Sequence, residues 1–260
     1  MSLPAVPAAF RWSDERWGAA LRCVPLEPIA AHLFTTRQLA LTAPDGPGQL
    51  AAAVGATTAV MVSQVHGRTV VVTRDGSALP DRTTEADAIV STLPGVAVAV
   101  RTADCVPLLM ADTATGAVAA VHAGWRGTAA GVATAAVEAM TREYGSRPSD
   151  IVAAIGPCIG ACCYEVGSEL VDAFAAAGHE RHLIARWFAT PPPPRGSRER
   201  PTLRLDVPGA NRDQLVLAGV NPDQIFDSGL CTAMHLDVLT SYRAEREQAL
   251  RLGAVIRPLG

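Results

Sequence analysis

A chain of 260 residues with 49% apolar and 18% charged residues and a formal charge of -3 has the size and balance of an ordinary globular protein with a substantial core. Its 22 basic residues are spread along the sequence rather than gathered in a stripe, which argues against nucleic acid as a partner and towards small-molecule chemistry. No stretch approaches the roughly 20 apolar residues of a membrane span. The Pro- and Ala-rich N-terminus has no positively charged leader, and six cysteines are too sparse for a disulfide scaffold. The expectation is a cytoplasmic protein with reduced thiols and no membrane partner, a monomer or homodimer.

In chain order, residues 59–63 and 68–73 are β-branched runs flanking Gln64-Val65-His66-Gly67, and they read as a strand–turn–strand unit. Residues 96–100, 106–111 and 117–121 are near-continuous apolar runs, the pattern of buried strands, with a turn signal at Asp112-Thr113-Ala114-Thr115-Gly116. An Ala-rich helix is predicted over 128–144, stopped by Gly145, then a strand over 151–155 and a helix over 167–177. Residues 187–201, with four consecutive prolines from Pro191 and a charged tail, predict a solvated loop. The segment beyond this loop (a strand over 202–206, a helix over about 209–218, a turn at Asn221-Pro222) is too short to bury its own core. The loop is therefore read as an insertion in a single domain over 1–260. The class is α+β, with mixed sheets and helices outside.

Two segments carry reactive side chains in apolar surroundings. Asp104 and Cys105 head one buried strand, and His122 ends the next. A hairpin turning near residue 114 brings Cys105 and His122 within one residue of opposition, and His66 supplies a third donor from the earlier turn. Two imidazoles and a thiolate suit Zn²⁺ with a fourth position open, the pattern of a catalytic rather than a structural site; the bland alternative is that each is an ordinary core residue. Gly124-Trp125-Arg126-Gly127-Thr128 follows a strand and opens a helix. Either its amides and Arg126 make a phosphate site, or its glycines serve only the backbone. Glu165, set among apolar residues, is either a general acid–base with a raised pKa or a helix cap. Asp104 is the other acid–base candidate, though strand alternation turns it away from Cys105. Cys158, Cys162 and Cys163 read as packed thiols.

Gln64-Val65-His66-Gly67, Thr102-Ala103-Asp104-Cys105, Val121-His122-Ala123-Gly124-Trp125-Arg126-Gly127 and Gly156-Pro157-Cys158-Ile159-Gly160, continuing to Cys163-Tyr164-Glu165-Val166, together resemble the YfiH/DUF152 family, whose members are called laccase-domain proteins, polyphenol oxidases, purine nucleoside phosphorylases and peptidoglycan editing factors. The resemblance implies an α/β/β/α fold likened to bacterial toxin deamidase domains, and zinc on His66, Cys105 and His122. It also implies phosphorolysis of adenosine, inosine, guanosine and methylthioadenosine, deamination of adenosine, and substrate or phosphate contacts at Arg37, Gln64, Arg126 and Gly127. The sequence departs from the family pattern after Phe34-Thr35-Thr36-Arg37 and again after Ser241-Tyr242-Arg243, two walls of the expected pocket.

Six histidines with no His-x-His pair exclude a four-copper oxidase, although a His–Cys–His group binds copper tightly in vitro. Two other functions fit the same residues. One is an amidohydrolase that edits a wrong amino acid in a UDP-muramyl precursor; the other is a non-catalytic, metal-stabilised regulatory module.

Overall fold

Every residue of the strand Val106–Asp112 is buried, and successive side chains serve different cores. Leu108 and Met110 face a helical layer, whereas Leu109 and Ala111 face a second sheet. This period of two explains why the sequence shows an unbroken apolar run where an exposed strand would alternate. The computed structural model describes residues 2–39, 41–190 and 202–259.

Two six-stranded mixed sheets are stacked. The first is built from β1 (Phe10–Glu15), β2 (Gly18–Cys23), β3 (Ala30–Thr35), β4 (Thr58–Val60), β7 (Val96–Thr102) and β14 (Leu252–Pro258), in the order β1-β2-β3-β14-β7-β4. The second contains β5 (Val70–Val72), β6 (Ala88–Ser91), β8 (Val106–Asp112), β9 (Val118–Ala123), β10 (Ile151–Ile155) and β13 (Ile225–Asp227), in the order β13-β10-β8-β9-β6-β5. Phe34, Val98, Val100 and Ile256 of the first sheet pack on Ile89, Leu109, Val118 and Ala154 of the second. Truncating a residue such as Leu109 to Ala in this dry layer costs about 2–5 kcal/mol.

Helix α1 (Gly46–Ala53) covers the outer face of the first sheet through Leu50. The outer face of the second sheet is covered by α2 (Trp125–Ala130), α3 (Val132–Tyr144), α4 (Glu169–Ala176), α5 (Arg181–Trp187) and α6 (Val207–Leu217). The α+β class and the α/β/β/α layering match the expectation. A short pair, β11 (Phe188–Ala189) with β12 (Arg204–Leu205), and a last turn of helix, α7 (Tyr242–Glu245), complete the elements. Among the described residues, no helix is long and apolar enough to cross a membrane.

Three expectations are corrected. Residues 59–73 do not form one unit: β4 pairs in parallel with β7 in the first sheet, and β5 in parallel with β6 in the second. The helix predicted over 128–144 is two helices, divided at Gly131, whose φ of 79° lies in the left-handed region that favours glycine. Trp187 and Phe188 are buried members of α5 and β11 rather than solvated loop, while the predicted loop over 191–201 lies outside the described residues.

The topology also determines where chemistry can gather. The chain passes from the first sheet to the second between β4 and β5, and again between β7 and β8. His66 lies on the first crossing and Cys105 on the second, directly before β8.

Candidate metal centre

The hairpin β8–β9 pairs Val106 with Ala123 and Pro107 with His122. Cys105 therefore stands two residues, not one, from the position facing His122. An even offset keeps both side chains on the same face of the ladder, where an odd one would separate them. His66, at a positive φ of 61°, brings its imidazole to the same point, with Nε2 3.9 Å from Cys105 Sγ and its ring 4.8 Å, edge-on, from that of His122. One ligand atom from each of the three lies within 4.8 Å of the others.

Buried Asp87, just before β6, organises this group. Its carboxylate accepts hydrogen bonds from the backbone N–H of His66 (2.9 Å), Gly67 (2.6 Å) and Val65 (3.3 Å), and from His122 Nδ1 (2.8 Å). With Nδ1–H committed to Asp87, His122 turns Nε2 towards Cys105 and His66, where a metal ion would take the place of its proton. Burial pushes the Asp87 carboxyl up, but the bonds from His122 and the Gly67 and His66 amides outweigh it and hold the group below its usual range. The same competition lowers Cys105 to about 6: burial opposes the thiolate, and the two imidazoles overcome it. His122 is opposed by burial as well, yet Asp87 and Cys105 lift it to about 9. A thiolate sulfur and two imidazole nitrogens thus face one point, with a carboxylate behind them. This donor set fits a borderline-soft divalent cation such as Zn²⁺.

Gly124 makes the convergence possible. A Cβ there would lie 2.8 Å from His66 Cδ2 and 3.0 Å from Cys105 Sγ, closer than real contacts allow. Gly127 packs on the Gly67 carbonyl, 3.0 Å from where a Cβ would stand, so close packing by itself requires glycine there.

Two lobes of a cavity meet at His66, Ala103, Cys105 and Tyr242. The first, of about 290 Å³, is lined by Trp125, Tyr164, Ile159 and Val207, with Arg126, Arg243 and Arg246 at its edge. Arg126 is exposed and lies over the Trp125 ring at 4.2 Å, and Arg243 lies over Tyr164 at 5.0 Å. Burial, with Cys105 nearby, pushes the Tyr164 phenol up to about 12, so it remains a donor. The second lobe, of about 560 Å³, is the more polar of the two and is lined by Gln64, Arg101, Thr102, His122 and Arg251.

The other expected site residues have different duties. Asp104, at φ 88°, accepts from Thr232 Oγ1 and from the Arg243 backbone N–H, both at 2.6 Å, so its carboxylate bolts the Cys105 turn to two other segments. Glu165 is exposed, not set in apolar surroundings; it pairs with Arg204 at 3.4 Å, lines neither lobe, and precedes α4 by too far to cap it. Arg37 lines neither lobe and is held by Glu245 at 3.2 Å, bracing the segment that carries Tyr242 and Arg243. Gln64 lines the polar lobe, but both ends of its amide are committed to the backbone of Arg101, at 2.7 and 2.9 Å. Cys158 is a buried thiol as expected, whereas Cys162 is exposed and gathers with Cys163 and Cys231 within 4.8 Å. Sequence reasoning missed Asp87, Arg101, Tyr164 and Arg251. Asp87 alone left a signal, as the acid at the head of the apolar run Ala88–Ser91.

A family described as multi-copper polyphenol oxidoreductase laccase matches residues 47–258, and the chain belongs to this laccase-like YfiH/DUF152 family. It is 40% identical over 214 residues to a protein of Deinococcus radiodurans named purine nucleoside phosphorylase, covering 82% of this chain and 76% of that one. A prokaryotic protein named adenosine deaminase RL5 is 41% identical over 146 residues, 56% of this chain and 52% of the relative. The crystal structure of YlmD from Geobacillus stearothermophilus superposes with a TM-score of 0.78 at 28% identity, covering 98% of this chain and 100% of that one. These relatives support an enzyme of this family.

Proposed function

We propose that this enzyme is a zinc-dependent purine nucleoside phosphorylase, acting on adenosine, inosine, guanosine and methylthioadenosine, that also deaminates adenosine. One observation carries the reading: His66, Cys105 and His122 converge at the junction of an aromatic lobe and a polar, basic lobe. Zinc held by these three side chains would supply Lewis acidity beside the reacting atoms.

The chain's own residues provide the rest. Trp125, Tyr164 and Tyr242 line a slot suited to a flat heteroaromatic base. Tyr164 and Tyr242 offer hydroxyl protons to the ring nitrogens, and Arg126, Arg243 and Arg246 offer donors at the slot's edge. Asp87 holds His122 in one tautomer. Asp104, which lines the aromatic lobe, is engaged by Thr232 and the Arg243 amide and positions Cys105.

The test supplies purified protein with adenosine, inosine, guanosine or methylthioadenosine plus phosphate, and separately with a serine-bearing UDP-muramyl peptide. Formation of the pentose 1-phosphate and free base, and of inosine from adenosine, each lost on chelation, is the expected result. Cleavage of the muramyl amide with every nucleoside left intact would overturn it.

A further inference from the structure

We infer that the polar lobe is the site of inorganic phosphate, gripped by Arg101 and Arg251. The inference rests on the phosphorolysis reading and deepens it. Arg101 Nε is buried and has no hydrogen-bond partner. Among the described residues neither Arg101 nor Arg251 forms an ion pair; Arg251 spends only Nη1, on the carbonyls of Leu250 (2.9 Å) and Ala249 (3.2 Å).

The surroundings of Arg101 are cationic. Burial weakens its hold on the proton, and Arg82 and Arg251 add repulsion. A half-buried guanidinium whose Nε is sealed from solvent without a partner, and whose charged neighbours are also guanidinium groups, is an unfavourable element of a fold unless an anion completes it. The position is also prepared: Gln64 fixes the backbone of Arg101 on both its N–H and its C=O. Forked donors on two converging side chains match the oxygens of a tetrahedral dianion.

The placement suits the chemistry. A purine in the aromatic lobe and phosphate in the basic lobe leave the ribose over the wall both share, at His66, Cys105 and Tyr242. A phosphate oxygen forms a bond to C1′, the C1′–N9 bond breaks, and its electron pair leaves on the base. The proton of hydrogen phosphate ends on the base, so nucleoside and hydrogen phosphate give ribose 1-phosphate and free purine in balance. Arg126, stacked on Trp125 in the other lobe, serves the base and not the phosphate.

The experiment titrates inorganic phosphate into the metal-loaded protein without nucleoside, by calorimetry, and then determines KM for phosphate and for inosine. Arg101→Gln and Arg251→Gln should each weaken phosphate binding by roughly tenfold to a hundredfold, as the loss of charge-assisted bonds does. Arg101→Lys should keep more affinity than Arg101→Gln, and KM for inosine should move far less than KM for phosphate. If Arg101→Gln fails to fold, Arg251→Gln decides. Unchanged phosphate affinity in the glutamine variants, no phosphate binding by the parent, or loss in Arg126→Ala instead would overturn the assignment. Phosphate binding that weakens as expected in a protein that phosphorolyses no nucleoside would sink the phosphorylase reading and leave the anion site standing.

Discussion

His122 Nδ1 and the backbone N–H of His66 end on the same oxygen of Asp87, at 2.8 and 2.9 Å. A single buried atom therefore orients two of the three candidate metal ligands, although neither touches the other through a hydrogen bond. Asp87→Asn removes the charge and places an amide among groups that all donate. Partners of this kind typically contribute ten- to a hundredfold in metal affinity, and that is the loss expected in a competition titration with a chromophoric chelator. Unchanged affinity would remove Asp87 from the organising role.

Cys105→Ala and His122→Ala should each abolish retention of zinc, read as metal content after gel filtration. Parent-like content in either variant would remove that residue from the ligand set.

Gly124→Ala probes shape without touching a donor atom. The added methyl falls 2.8 Å from His66 Cδ2 and 3.0 Å from Cys105 Sγ, so the two donors must separate. Metal binding should fall while the circular dichroism spectrum stays that of the parent. Full metal content in this variant would mean that the site has slack the geometry denies.

Glu165→Gln separates the sequence expectation from the structure. Removing a general acid–base costs roughly a hundredfold or more in rate. An exposed carboxylate paired with Arg204 should cost far less, with pentose 1-phosphate formation as the readout. A hundredfold loss would return Glu165 to the reaction.

His32 gives the fold a pH dependence remote from the site. Cys23 N–H donates to its Nε2 (2.9 Å), so Nδ1 carries the proton and donates to the Ala30 carbonyl (3.1 Å). Burial lowers its pKa from 6.5 to about 4. Above 6.5 neither the folded nor the unfolded chain is charged at this residue. Between 6.5 and about 4 only the unfolded chain takes up the proton, so stability falls as pH drops through that window, by on the order of 3 kcal/mol in total. Urea unfolding of His32→Gln should show a shallower slope over the same range; identical slopes would rule His32 out as the source.

The sequence was most readable where burial is two-sided. The runs at β7, β8 and β9 and the turn at Asp112 follow from apolar continuity and from a carboxylate able to accept from Ala114 and Thr115. Sheet membership was not readable at β4 and β5, because each takes a parallel partner far along the chain and a local pattern cannot name it. Of the three candidate ligands, Cys105 and His122 were accessible because a hairpin is local, whereas His66 arrives from a separate crossing; the offset was misjudged by one residue, which side-chain alternation makes decisive. Asp87 acts through His66, Gly67 and His122, and Arg101 meets Gln64 and Arg251 only across the fold, so no local pattern marked these partnerships. Glu165 looked buried only because its sequence neighbours are apolar.

Because His66 and Cys105 sit where the backbone leaves one sheet for the other, the centre lies on a seam. Yet the first crossing is tied straight back to the second sheet, because Asp87 at the head of β6 accepts from the Val65, His66 and Gly67 amides. Ligand spacing is thus governed from one layer: β6, β8 and β9 carry the anchors of all three side chains. Mutations along those three strands, rather than in the other half of the sandwich, then become a route to retuning its chemistry.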